Sequence, residues 1–285
     1  MRKMFQCSIS SSGEFMVVNI AHRGARSLAP ENTLPAIRKA WKIGADVLEI
    51  DVAVTMDGRL IILHDDLLLR TTDVGRQFPD RAKQPCTTFT LAEIRSLDAG
   101  AWFAATDPFG QIAAGNVSPT ELQSYKGIAI PTLEEVLIFV KEKSWRVNIE
   151  IKQVPEPMQT FPITDAVLHC IARHQVPADR LIISSFAHEY IREVRAKRPD
   201  IEINALIGLS GSGRQEWGDY EFSVYNADAK YTDEAQIRSA HEHGCRVNLY
   251  TVNKPSEMRR FIRAGVMGLF TDFPQILAHL PTIEI

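Results

Sequence analysis

Two rhythms of apolar and polar positions alternate along the chain. Short apolar runs recur at residues 17–22, 47–55, 59–64, 146–152, 181–185, 201–207, 222–225, 246–252 and 267–271. Most are separated by stretches with helical spacing. In "PTLEEVLIFVKEK", Leu133, Val136, Leu137 and Val140 fall at i, i+3, i+4 and i+7, which places them on one helix face. Thr132 and Glu135 form a capping box at the start of that stretch. Gly44 sits where the helix in "ENTLPAIRKAWKIGAD" should stop.

Repeated strand-then-helix units over most of the chain predict a parallel α/β fold. The polar residues recur at the ends of many different strands: His22 and Arg23, Glu49 and Asp51, Glu150 and Lys152, Ser185 and Phe186, Thr251 and Asn253, Thr271 and Asp272. That distribution favours a TIM (β/α)8 barrel, which gathers its site from the C-terminal ends of many strands. A doubly wound sheet would concentrate such residues at one switch point behind a Gly-rich loop, and no G-x-G-x-x-G follows a strand. Nine strands are one too many for eight. "TMDG", residues 55–58, is too short for a helical crossover and predicts a hairpin. With Met56 and Asp57 as a two-residue loop, Thr55 would face Gly58 and Glu49 would face His64. Residues 66–130 break the rhythm, are rich in Gly, Pro and Thr, and show one short helix near 91–97. They predict a small insertion after the third strand, within a single domain over residues 1–285, covering one face of the barrel.

Composition narrows the classes. The chain has 285 residues, 45% hydrophobic and 24% charged, with a formal net charge of -3. This fits an ordinary globular enzyme and argues against a nucleic-acid binder driven by bulk charge. No apolar run reaches transmembrane length. No apolar stretch of signal-peptide length follows the basic residues Arg2 and Lys3. Cys7, Cys86, Cys170 and Cys245 are widely spaced without a C-x-x-C pair, predicting free thiols and a cytoplasmic location.

Glu49, Asp51 and Glu150 form a candidate metal set. Residues two apart on a strand share a face, and a third carboxylate from another strand can join them. Three carboxylates without a nearby Cys specify a hard divalent ion, Mg²⁺ or Ca²⁺, over zinc. The competing assignment pairs these acids with Arg23 and Lys152 as buried ion pairs. His22 and His64 are the histidines at strand ends beside the acids; His169, His174, His188, His241, His243 and His279 fall on helices or at their ends. Two such histidines suit paired acid–base work, and Arg23 and Lys152 suit a phosphate. A nucleophilic Ser184 or Ser185 lacks the G-x-S-x-G context. Asp65 and Asp66 read as loop and turn residues.

These segments together resemble the glycerophosphodiester phosphodiesterases. The resemblance runs from about residue 17 to 280, on "AHRGARSLAPENTLPAI", "LEIDVAVTMDGRLIILHDDLLLRTTD", "FTLAEIRSLDAGAWF", "IPTLEEVL", "NIEIK", "SSF", "YTVN" and "GLFTDFP" in that order. It implies a TIM-type barrel and metal-dependent hydrolysis of a small glycerophosphodiester to an alcohol and sn-glycerol 3-phosphate. It further implies catalytic His22 and His64, metal ligands Glu49, Asp51 and Glu150, phosphate-binding Arg23 and Lys152, and Phe186 and Tyr250 beside the substrate. The segment from 66 to about 130 would cover the glycerol end. Tyr250 stands where the family usually has Trp, and the stretch "ATDPFGQIAAGNVSPTELQSYKG" lengthens the insertion.

Two other readings use the same residues. A lysophospholipase D-like or sphingomyelinase D-like enzyme would share the histidines and metal, act through a cyclic phosphate, and show an apolar rim, for which Trp102-Phe103 and Phe109 are the candidates. A non-catalytic phosphate-binding protein would be expected to lack a histidine or an acid, and none is missing.

Overall fold

The computed structural model describes residues 17–208 and 215–280. Cys7 and the N-terminal stretch read for a signal lie outside them. Eight strands are β1 (Val18–Ala21), β2 (Val47–Val54), β4 (Arg146–Ile151), β5 (Leu181–Ser185), β6 (Glu202–Ile207), β7 (Val224–Asp228), β8 (Arg246–Tyr250) and β9 (Gly268–Thr271), all paired in parallel. The β1–β2 pairing closes them into a barrel. Helices α1 (Leu34–Ile43), α6 (Leu133–Glu142), α7 (Ile163–His174), α8 (His188–Lys197), α9 (Glu234–Glu242), α10 (Pro255–Arg263) and α11 (Pro274–Ala278) follow strands in chain order. The expected TIM barrel is the observed fold.

The inferred helix signals operate as drawn. Thr132 and Glu135 cap α6 reciprocally, and Leu133, Val136, Leu137 and Val140 are its buried face. Gly44 ends α1 in the left-handed conformation, its N–H satisfying the last carbonyls. The apolar outer faces of the strands and these helix faces make one continuous core.

Side-chain alternation decides what the barrel encloses. On β4, Val147, Ile149 and Ile151 pack outward into the core, so Asn148, Glu150 and Lys152 belong to the opposite, inward face. The same period gives β8 inward Asn248 and Tyr250, and β2 inward Val47, Glu49 and Asp51. An apolar cluster of Ile20, Val47, Ile182 and Phe270 lies within the barrel. The carboxylates and His22 sit one step nearer the C-terminal ends.

β2 is long because it has two jobs. Residues Val47 and Leu48 pair with β1, whereas Val52–Val54 pair with the ninth strand, β3 (Leu60–Ile62), in the antiparallel sense. The hairpin is real, but its register differs from the expected one. Thr55 lies opposite Arg59, with a hydrogen bond from Thr55 N to Arg59 O, and the loop has three residues, Met56 to Gly58. Gly58 supplies the left-handed turn at φ 72°. Thr55 Oγ1 donates to Asp57 and accepts from Arg59 N, locking it. The slip of one residue pairs Asp51 with Leu63, so Glu49 does not face His64 across the hairpin.

Residues 64–131 hold more helix than the sequence pattern suggested. They contain α2 (Val74–Gln77), α3 (Leu91–Arg95), α4 (Ala101–Thr106) and α5 (Pro119–Tyr125), with short 3₁₀ turns. Leu68, Val74, Phe89, Ile94 and Leu97 bury themselves against Ala53, Ile61 and Leu63 of the hairpin, forming a separate core. A smaller one joins Phe103, Val117 and Tyr125 to Leu28 and Ala36.

Gly24 sets how closely α1 approaches the end of β1. Its φ is 81°, and a Cβ there would lie 2.8 Å from the carbonyl carbon of Ala36. Gly24→Ala should therefore cost about 2–4 kcal/mol, from backbone strain plus a contact that rigid helix backbone cannot relieve. The measurement is the urea midpoint at unchanged slope. A loss below about 0.5 kcal/mol would mean that α1 shifts freely.

Candidate active site

The strand ends converge on a cavity of about 360 Å³ at the C-terminal end of the barrel. His22, Arg23, Glu49, His64, Glu150, Phe186 and Tyr250 all line it. Asp51 and Lys152 complete the group through contacts with these residues.

The three acids meet as their strand positions required. One oxygen from each of Glu49, Asp51 and Glu150 lies within 4.8 Å of the others. Their environments differ. Burial, then the charges of Asp51 and Glu150, hold Glu49 well above the usual carboxylate range. Burial and Asp51 likewise push Glu150 up. Burial also acts on Asp51, but Arg23, His64 and Lys152 outweigh it and keep this carboxyl low. Asn32 Nδ2 donates to Asp51 Oδ2 at 2.8 Å, and the backbone N–H of Arg23 donates to Glu49 Oε2 at 2.7 Å. Pre-oriented, mutually repelling, buried carboxylates fit a hard divalent ion.

The cations are shared with that set. Lys152 Nζ lies 3.1 Å from Glu150 Oε1 and 3.9 Å from Asp51 Oδ1. Arg23 is not an uncommitted fork: Nη1 donates to Glu31 at 2.8 Å and Nε lies 3.3 Å from Asp51 Oδ2. Its backbone is left-handed, φ 56°, which turns its N–H toward Glu49.

Each histidine has an acid on Nδ1. His22 Nδ1 is 2.7 Å from Asp272 Oδ1, and His64 Nδ1 is 2.6 Å from Asp65 Oδ1. An ionised carboxylate only accepts, so Nδ1 of each ring carries a proton and Nε2 is the nitrogen left free to exchange one. Burial and the Arg23 charge lower the His22 pKa against the opposing pull of Asp272. Asp272 is held in turn by Asn253 Nδ2 at 2.7 Å. Asp65, read from sequence as a loop residue, is thus a partner of His64. Asp272 stood among the strand-end residues without a role; its place one residue after β9 was the available signal.

Two aromatic residues wall the cavity. Phe186, half exposed, meets Tyr250 edge to face at 6.0 Å, and the Tyr250 hydroxyl donates to Ile207 O at 2.8 Å. The proposed apolar rim is not formed by Trp102-Phe103: Phe103 is fully buried in a satellite core, and the Trp102 indole N–H donates to Ala99 O. Phe109 packs on Phe273 at 5.6 Å, beneath the Arg26 guanidinium. Ser185 Oγ is spent on Ile151 O and Ala187 N, a turn-stabilising role.

The profile of the glycerophosphoryl diester phosphodiesterase family matches residues 22–276. A glycerophosphodiester phosphodiesterase of Caldanaerobacter subterraneus is 33% identical, covering 92% of this chain and 96% of the relative. One of Bacillus subtilis is 30% identical, covering 94% and 89%. The structure of an Oleispira antarctica phosphodiesterase in complex with the product sn-glycerol-3-phosphate is similar at a TM-score of 0.73 and 27% identity, over 93% of this chain and 96% of that one.

Glu150→Gln tests the carboxylate cluster. Glu49 and Glu150 hold protons more tightly folded than unfolded, so each makes the metal-free fold lose stability as pH rises above the ordinary glutamate range. Removing one charge should leave metal-free stability at neutral pH unchanged or higher in thermal unfolding. A loss of about 3 kcal/mol or more would instead mark Glu150 as the structural partner of Lys152.

Proposed function

The chain belongs to the glycerophosphoryl diester phosphodiesterase family, and on that premise we propose that it hydrolyses a glycerophosphodiester to an alcohol and sn-glycerol 3-phosphate by histidine acid–base catalysis at a divalent-metal site. The observation that carries this reading is the pair of Nδ1-anchored histidines on one cavity with three crowded carboxylates. The Oleispira relative, described with sn-glycerol-3-phosphate, supports the product assignment.

Glu49, Asp51 and Glu150 would hold Mg²⁺ or Ca²⁺, which would supply Lewis-acid charge to the phosphoryl oxygens. The chain's own groups do the rest. Arg23 and Lys152 present positive charge to the diester. His22, kept neutral by burial, takes a proton from the attacking water through Nε2. His64 delivers its Nε2 proton to the departing alkoxide, after which His22 gives its proton to solvent and His64 regains one before the next turnover. Phe186 and Tyr250 form the wall beside the substrate. Of the rim residues that the lysophospholipase D-like or sphingomyelinase D-like alternative would use, Phe103 is buried in a satellite core, and Phe109 packs on Phe273.

Release of sn-glycerol 3-phosphate should be measured on a panel of glycerophosphodiesters plus a lysophospholipid, with and without chelator. The expected result is release from a glycerophosphodiester that chelation abolishes and a divalent ion restores. Activity surviving exhaustive chelation would sink the metal assignment.

His22→Ala and His64→Ala should each lower kcat by about 10²–10⁴-fold. A p-nitrophenyl phosphodiester separates them, because nitrophenolate leaves without a proton. On it His64→Ala should recover much of its activity while His22→Ala does not. Rescue of His22→Ala instead would reverse the roles, and rescue of neither would refute the acid–base pair.

A further inference from the structure

One buried carboxylate outside both the metal set and the histidine pairs touches three arginines. Glu31 follows Pro30 in the loop between β1 and α1, and its side chain is 3% exposed. Arg23 Nη1 donates to its Oε1 at 2.8 Å, Arg26 Nη2 reaches Oε2 at 2.7 Å, and Arg70 donates through Nη2 to Oε1 at 2.7 Å and Nη1 to Oε2 at 3.0 Å. The turn that carries Glu31 is tightly built. Asn32 N donates to Arg23 O at 3.0 Å, and Thr33 caps α1.

Two of these arginines lead onward to the histidines. Arg26 Nη1 lies 3.5 Å from Asp272 Oδ1, the oxygen that accepts from His22 Nδ1 at 2.7 Å. Arg70 holds Asp65 at both oxygens: Nε donates to Oδ2 at 2.6 Å, and Nη2 donates at 3.1 Å to Oδ1, the oxygen that accepts from His64 Nδ1 at 2.6 Å. In each arm a guanidinium and an imidazole donate to the same carboxylate oxygen, which has lone pairs for both. The guanidinium fixes where that carboxylate points, and Glu31 fixes the guanidinium.

We propose that Glu31 is a positioning residue for both histidines: it anchors Arg26 and Arg70, and these orient Asp272 and Asp65 toward the Nδ1 of each imidazole. This rests on the acid–base reading given above and extends it to what keeps Nδ1 of each histidine on its carboxylate. Arg26 serves the His22 arm and Arg70 the His64 arm. Phe109, 5.2 Å from Arg26 across its ring face, supports the first arm from the insertion.

The arms can be read separately. Glu31→Gln keeps the shape but removes the charge, and should lower kcat about 10–100-fold, the range for outer partners of functional groups. Arg70→Lys and Arg26→Lys should each lose part of that on an alkyl glycerophosphodiester. On the p-nitrophenyl diester Arg70→Lys should recover, Arg26→Lys should not, and Glu31→Gln should recover only in part. A second readout needs no turnover: imidazole nitrogen NMR, with His22 and His64 assigned by their alanine variants. Wild type should show Nδ1-protonated rings at both sites. Glu31→Gln should shift both, Arg70→Lys only His64, and Arg26→Lys only His22.

If Glu31→Gln leaves both imidazole spectra unchanged, or lowers activity equally on both substrates, the positioning role is overturned. Should Glu31→Gln fail to fold, the two lysine variants decide alone: shifts in neither histidine overturn the proposal. Full activity of the His22 and His64 alanine variants would overturn the acid–base reading itself, a separate result.

Discussion

Charge crowding at the C-terminal mouth is the constraint around which the rest is arranged. Asp51, Glu150, Glu31, Asp65 and Asp272 form one connected network with Arg23, Arg26, Arg70 and Lys152, and Glu49 joins it through the Arg23 backbone N–H. Six carboxylates thus crowd around four permanent cations. Isolated buried charges are costly, so such a network persists only where partners are close and well directed. The local structure supplies that direction: alternation on β2 and β4 turns acids inward, and positive φ at Arg23 and Gly24 turns the chain sharply after β1.

Nearly all the elements that carry this network were readable in sequence, because strand alternation and helix spacing are local signals. The nine apolar runs are the nine strands, though β7 lies about two residues beyond its expected start. The hairpin register was misread for a local reason also present in the sequence. Gly58 follows Asp57, and a glycine there lets the loop close with three residues rather than two. Glu49, Asp51 and Glu150 needed only the period of two. The insertion was less readable: α2 to α5 span four to seven residues each, too short to display a helical period. For the same reason Phe103 on α4 looked like a rim residue when it is a core residue.

Glu31 was hidden differently. It sits in a loop, where no periodicity speaks, and its importance lies in contacts at sequence distances of 8 and 39 residues. "PENT" was readable as a motif but not as a division of labour. Glu31 gathers the arginines, Asn32 holds Asp51, and Thr33 starts α1. Tyr250 illustrates a smaller point. Its hydroxyl bond to Ile207 O ties β8 to the end of β6, past the intervening β7, giving a polar tether to a wall that an indole would build with a differently placed donor.

The insertion's own core has an evolutionary and engineering consequence. Phe89, Ile94 and Leu97 pack on the hairpin, so the insertion is a module with its own core, whose loops can be exchanged without repacking the barrel. Its seam, however, does not lie at His64. Asp65 and Arg70 stand at the root of the module, yet they belong electrically to the histidines. A transplant of a foreign insertion should therefore keep the chain through Thr72, whose hydroxyl closes onto Leu68 O, and begin the exchange beyond it.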